Sequence, residues 1–194
     1  MMKNIVYILF VLAFYCAEIR AQLPEGWYMA KDPQTLDPAC PKDYAIGIDK
    51  GTKYNGKVSA FIESRNSQPE GTAILLQEAS PADYKGKRIR ISAFVNADNI
   101  QNWSGLFVSL DARGYKGLND FMYDRPIKGT IEWKKQEVVI QVPVDAERIF
   151  YGVWLEGKGK IWIDDFVIEI VGEETPITAG RRILKRPRNL NLEE

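Results

Sequence analysis

At 194 residues, with 45% hydrophobic and 27% charged side chains, the chain has the length and composition of one globular domain with tails. Its 26 basic and 26 acidic residues balance, so no net field favours nucleic acid or an anionic membrane surface. It contains no histidine, which excludes a Ser-His-Asp triad, a Cys-His pair, a histidine zinc site and a histidine general base.

Residues 1–21 read as a secretory signal peptide. Lys3 lies in a short positive head, the apolar run 5–17 is too short to span a bilayer well, and the small Ala21 precedes Gln22. Bulky Phe14 and Tyr15 disfavour a lipid anchor on Cys16. Removing Lys3, Glu18 and Arg20 with the leader leaves 24 basic against 25 acidic residues, a net charge of −1. Cys40 is then the one remaining cysteine and has no internal bridge partner. The expectation is an exported, periplasmic or extracellular protein of a bacterium, with no membrane span and no nucleic-acid partner.

Residues 22–41 are Pro-rich and irregular, and "LPEGWYMAKDPQ" is expected to lie over the surface rather than form a core strand. From residue 44 to residue 170, short runs rich in β-branched and aromatic residues alternate with Gly, Pro, Asn and Asp clusters. They predict strands over 44–49, 57–64, 72–79, 88–97, 105–112, 133–142, 149–156 and 160–170, with a short irregular one over 118–124. No helical window of useful length appears apart from one turn at "SPADYKG". In "RIRISAFV", Ile89, Ile91, Ala93 and Val95 share one face and Arg88, Arg90, Ser92 and Phe94 the other. Strands at this spacing, without crossover helices, indicate an all-β fold: an antiparallel β-sandwich or jelly roll over residues 22–171. Residues 172–194 carry Arg181, Arg182, Lys185, Arg186 and Arg188 among Pro and Gly. They read as a flexible basic tail or the start of a further domain.

"GTKYNGKV", residues 51–58, nearly spells a phosphate-binding loop. It has Val58 where a metal-binding hydroxyl is needed and leads into a strand, so it reads as a hairpin turn. "NWS", residues 102–104, matches a glycosylation acceptor that matters only in a eukaryotic secretory pathway. Trp133, Trp154 and Trp162 alternate in phase with apolar neighbours and are expected to pack. Trp27 and Trp103 fall in expected loops, where a large aromatic suits ligand stacking. "LNDFMYDRPIKGT", residues 118–130, concentrates planar, hydrogen-bonding side chains that recognise hydroxyl-rich ligands. Trp103, Asn119, Tyr123, Asp124 and Arg125 are therefore the candidate ligand-binding residues. The alternative is an internal Asp124 and Arg125 network that pins the loop.

Four blocks, "ADYKGKRIRISAFVNADNI", "WSGLFVSLDARG", "DRPIKGTIEWKKQEVVIQVP" and "YGVWLEGKGKIWIDDFVIEIV", occur in that order. Together they resemble the galactose-binding-like jelly-roll superfamily, which includes many carbohydrate-binding modules. More narrowly they resemble its uncharacterised bacterial exported type, sometimes linked to tail-specific (S41) peptidases or described as AraC-type regulators. The resemblance covers about residues 24–171. It implies the jelly roll and a non-catalytic role, and it leaves the ligand open. Members often open with a strand like "NLDFE", whose glutamate joins an aspartate of the last strand at a structural calcium. Here "LPEGW" has no such strand before it, while the terminal "NLNLEE" looks like one.

In "IWIDDF", residues 161–166, strand alternation sends Asp164 and Asp165 to opposite faces unless a bulge intervenes, which disfavours a glycosidase carboxylate pair. By alternation Asp164 shares a face with Trp162, Phe166 and Ile168. The resemblance makes Asp164 the inward residue and a candidate calcium ligand; no cofactor is otherwise required. The expected function is an exported, non-catalytic binding module for a glycan or similar polar ligand. The alternative is a structural or protein-interaction accessory domain with an exported partner. An enzyme ranks third, because no spaced carboxylate pair stands out.

Overall fold

The computed structural model describes residues 23–178 except 33, 34, 37, 40, 113 and 114. The expected leader, both cysteines and the basic run 181–188 lie outside the described residues. Among the described residues nine strands form: β1 (Trp27–Ala30), β2 (Tyr44–Asp49), β3 (Ser59–Ser64), β4 (Thr72–Ala79), β5 (Arg88–Ala112), β6 (Tyr115–Asp120), β7 (Ile127–Gln141), β8 (Ala146–Glu156) and β9 (Lys160–Val171). Among the described residues there is no helix; at "SPADYKG" the chain makes only turns, with the Tyr84 and Lys85 amides donating to the Pro81 carbonyl.

All pairings between these strands are antiparallel, and β5 belongs to two layers. Its first half pairs with β7 and β9, and β9 continues through β3 to β2. Its second half pairs with β6 and β8, and β8 continues through β4 to β1. The register slips between Ala97 and Ile100, where Asn99 takes a left-handed φ of 52°. That slip lets one strand leave the first layer and enter the second.

The core lies between the layers. Ile89, Ile91, Ala93, Val95 and Ala97 of β5, with Ile62, Val138, Ile140, Ile161 and Ile163, face Ala73, Leu75, Leu106, Val108, Leu110, Ile149, Val153 and Leu155. The face of "RIRISAFV" that carries Ile89, Ile91, Ala93 and Val95 is the one turned to this core. In the second layer both faces are covered: "AILL" of β4 and "FYGVWL" of β8 run apolar without alternation because Ile74, Leu76, Phe150 and Trp154 pack on the outside. Tyr44 closes one end of the core, donating to the Gly71 carbonyl at 2.9 Å and accepting from the Gly157 amide at 3.0 Å.

Three expectations change. Residues 27–30 are a strand, not a surface strap: Met29 and Ala30 are buried against β4. The turn that launches it has Trp27 N donating to Pro24 O at 3.1 Å and Gly26 at φ 81°, a backbone that favours glycine. The stretch between the expected strands 88–97 and 105–112 is itself strand, so Trp103 sits within β5 and Trp27 opens β1; neither is in a loop. Residues 172–178 are tied down. The Thr178 amide donates to Val139 O at 2.9 Å, Val139 N donates to Thr178 Oγ1 at 2.7 Å, and Arg88 donates to the Glu173 and Thr175 carbonyls.

Candidate ligand-binding site

The loop after β6 is built around Asp120, which is 5% exposed. Asp120 Oδ1 accepts from the Met122 amide at 2.8 Å, and Oδ2 accepts from Arg125 and, at 2.7 Å, from the Thr178 hydroxyl. The Arg125 amide donates to Met122 O at 3.0 Å and its guanidinium also reaches Asp124 at 2.7 Å. Burial works against the Arg125 charge, but the hydrogen bonds and charges of Asp120 and Asp124 outweigh it and hold its pKa above the ordinary value. The internal network weighed for Asp124 and Arg125 is therefore formed, with Asp120 as its hub. Asp120 belongs to the polar cluster that the sequence marks at residues 118–130, but its role as the hub is not among the sequence expectations; its signal is the spacing of an aspartate two residues before an amide that it can cap.

This network turns the chain so that Phe121 and Tyr123 lie over the outer face of the second layer. Phe121 stacks on Phe107 with ring centres 4.9 Å apart and meets Trp154 edge-on at 5.9 Å. The Trp154 indole donates to Phe121 O at 3.2 Å. Met122, at φ 55°, points the other way into the core, and Gly105 leaves room for it: a Cβ there would stand 3.1 Å from Met122 Cβ.

Tyr123 is 54% exposed, yet its ring is held edge-on by Trp103 at 5.4 Å and by Trp154 at 5.4 Å. Burial of its hydroxyl and the nearby negative charge of Glu156 raise the Tyr123 pKa, so the group stays a neutral donor. Lys128 Nζ sits 5.7 Å from the Trp103 ring centre, and exposed Glu156 registers opposite Trp103. Trp103 is half-buried, and its indole nitrogen is shielded with no hydrogen-bond partner among the described residues. The result is an aromatic ledge with a polar rim, suited to stacking one face of a ring while donating and accepting hydrogen bonds around it.

Of the residues predicted from sequence, Trp103, Tyr123, Asp124 and Arg125 come together here, Arg125 as a support for the loop. Asn119 is exposed on β6, registered opposite Ser109, on the face that carries Phe107. Trp154 packs as expected; Trp133 and Trp162 are only half-buried, on the outer face of the first layer.

Asp164 lies elsewhere, and the inward placement expected for it is overturned. Ile161 and Ile163 take the core face, whereas Asp164 and Trp162 face outward. A bulge follows: β9 spends residues 164–167 where β5 spends 92–94, with Asp165 at φ 57°. The bulge resets the alternation, so Phe166 and Ile168 pack on the core while Asp164 does not. Asp164 Oδ2 accepts from the Tyr54 and Asn55 amides at 3.0 and 2.9 Å, and Oδ1 from the Asp165 amide at 2.8 Å. The 51–58 turn is thus the cap on Asp164. Three N–H dipoles thus point at this carboxylate, and among the described residues no group of three His, Cys, Asp or Glu side chains gathers around a metal position. Nearby Asp49 accepts from the Trp162 indole at 2.8 Å and from the Thr52 and Gly51 amides, and these bonds, the indole's first, hold its pKa below the ordinary carboxylate value.

No protein-family model matches the chain. It is 33% identical over 177 residues, 88% of its length, to the "Uncharacterized HTH-type transcriptional regulator YbfP" of Bacillus subtilis, and it spans 60% of that relative's length. Its fold is similar to that of TmCBM61 in complex with beta-1,4-galactotriose (TM-score 0.51, 16% identity, 79% of this chain and 94% of that one). It is also similar to a family 16 carbohydrate-binding module (TM-score 0.52, 12% identity, 76% and 99%). One fifth of the chain of the bacteriophage CBA120 tailspike protein 4 enzymatically active domain is similar as well (TM-score 0.55, 10% identity, 78% of this chain and 20% of that one). At these identities the likeness is one of fold: an antiparallel β-sandwich jelly roll of the kind found in carbohydrate-binding modules.

Proposed function

We propose that the protein is an exported, non-catalytic binding module for carbohydrate or a similar polar ligand. The observation that carries this reading is the half-exposed Tyr123, fixed edge-on by Trp103 and Trp154 inside a rim of Lys128, Glu156 and Asp124. A pyranose presents an apolar face to such a ring and hydroxyls to such a rim. The fold neighbours that are carbohydrate-binding modules support it, TmCBM61 with its bound galactotriose among them. Export rests on the leader-like residues 1–21; among the described residues no helix is long and apolar enough to cross a membrane. On a glycan array followed by calorimetric titration, at least one polysaccharide should bind, and Tyr123→Ala should weaken it about tenfold, the worth of one aromatic stack. Absence of binding to every glycan, or full affinity in Tyr123→Ala, rejects the site.

A second reading is an accessory domain of a larger protein, favoured by the 60% of the Bacillus relative's length that the chain spans. The described residues contain no helix, so the DNA-binding element named for that relative is not in the sandwich. Recovery of one exported partner in a pull-down, unchanged by Tyr123→Ala, would favour this reading.

A further inference from the structure

A cavity of about 270 Å³ opens between the layers on the side where β1 faces β2, β3 and β9. Its lining includes the core-side residues Ile48, Ala60 and Ile163, with Trp27 and Phe166. Trp27 and Phe166 lie 5.1 Å apart, and both lean on Tyr151, with ring centres at 5.9 Å, so the aromatic wall is braced from behind. No residue of the Tyr123 ledge lines it.

The polar residues of the lining are Ser59, Asp164 and Asp165. The Ser59 hydroxyl donates to Thr52 O, and both Asp164 oxygens accept backbone amides. That leaves the exposed Asp165 carboxylate, which no side chain among the described residues pairs with. Its backbone takes the left-handed conformation at φ 57°, and the bulge places it in the lining of the cavity. An apolar, aromatic-walled slot with one uncommitted carboxylate in its lining has the chemistry of a receptor for a cation on an apolar body.

We propose that this cavity binds a small organic ammonium, its ring or short alkyl body against Trp27, Phe166, Ala60 and Ile163 and its amine at Asp165. An anion would be repelled by the Asp165 carboxylate, and a neutral molecule of the same shape would leave Asp165 unused.

The test uses the full chain and three probes of one shape: 2-phenylethylammonium, 2-phenylethanol and 3-phenylpropionate. Binding is read from the NMR shift of the Trp27 indole N–H, assigned with Trp27→Phe. The ammonium should bind saturably and at least about threefold more tightly than the alcohol, the margin of a partly exposed ion pair, while the anion binds weakest. Asp165→Asn keeps a residue that tolerates positive φ and should bring the ammonium down to the alcohol's affinity. Ala60→Phe fills the slot and should remove binding of all three. Equal affinities of ammonium and alcohol, unchanged binding in Asp165→Asn, or no saturable binding of any probe overturns the proposal. Should Ala60→Phe not fold, the three-probe comparison and Asp165→Asn decide.

Discussion

Asp164 takes its place in the structure chiefly from hydrogen bonds with residues about 110 positions earlier in the sequence. Two of its three partners, the Tyr54 and Asn55 amides, come from the 51–58 turn, and each amide bonded to a carboxylate is worth more than a neutral pair. The site is partly solvated, so Asp164→Ala should cost about 2 kcal/mol rather than the sum of three such bonds, measured by chemical denaturation. A chelator should leave the melting temperature of the unaltered protein unchanged; a fall would favour the calcium reading. Strand parity separated the two aspartates correctly as far as Asp164. It failed beyond, because the bulge at Asp165 has no glycine to mark it, only a residue type that accepts positive φ.

Strands bounded by strong turn residues were legible: β2 and β4 run over the predicted 44–49 and 72–79. β1 was not, since four residues between a Gly turn and "KDP" carry too little periodicity, and only pairing with β4 makes them a strand. β5 read as two strands because "NADNIQN" has the composition of a turn; its pairing with β7 and β9 through Ala97 and Asp98 overrides that preference. Close strand packing makes its own demands. Gly152 of β8 pairs with Leu76 and Phe107, and a Cβ there would stand 2.1 Å from the Leu75 carbonyl oxygen. Gly152→Ala should destabilise by about 3 kcal/mol or more, because rigid backbone must move. Gly71→Ala, with open space around it but a φ of 74°, should cost only about 1 kcal/mol. A denaturation midpoint lowered equally in the two would refute the packing argument.

At the scale of the whole molecule, the all-β class and the two-layer architecture were readable from composition and spacing. The ledge was readable in its parts and not in its assembly. Trp103 and Tyr123 belong to different elements and Trp154 to a third, and their meeting depends on the crossing of β5 into the second layer. That 25-residue strand has a kinetic consequence. Neither layer can close before β5 has found partners in the C-terminal half of the chain, so the domain has no half that folds first. Contacts of such long loops place it among the slower folders, in the millisecond-to-second range. Fragments 23–99 and 100–178, produced separately, should each stay unfolded by circular dichroism and gain β-structure only when mixed. A fragment that folds alone would mean that the sandwich is divisible, and that the strand joining its layers is a convenience of the fold rather than the step on which folding waits.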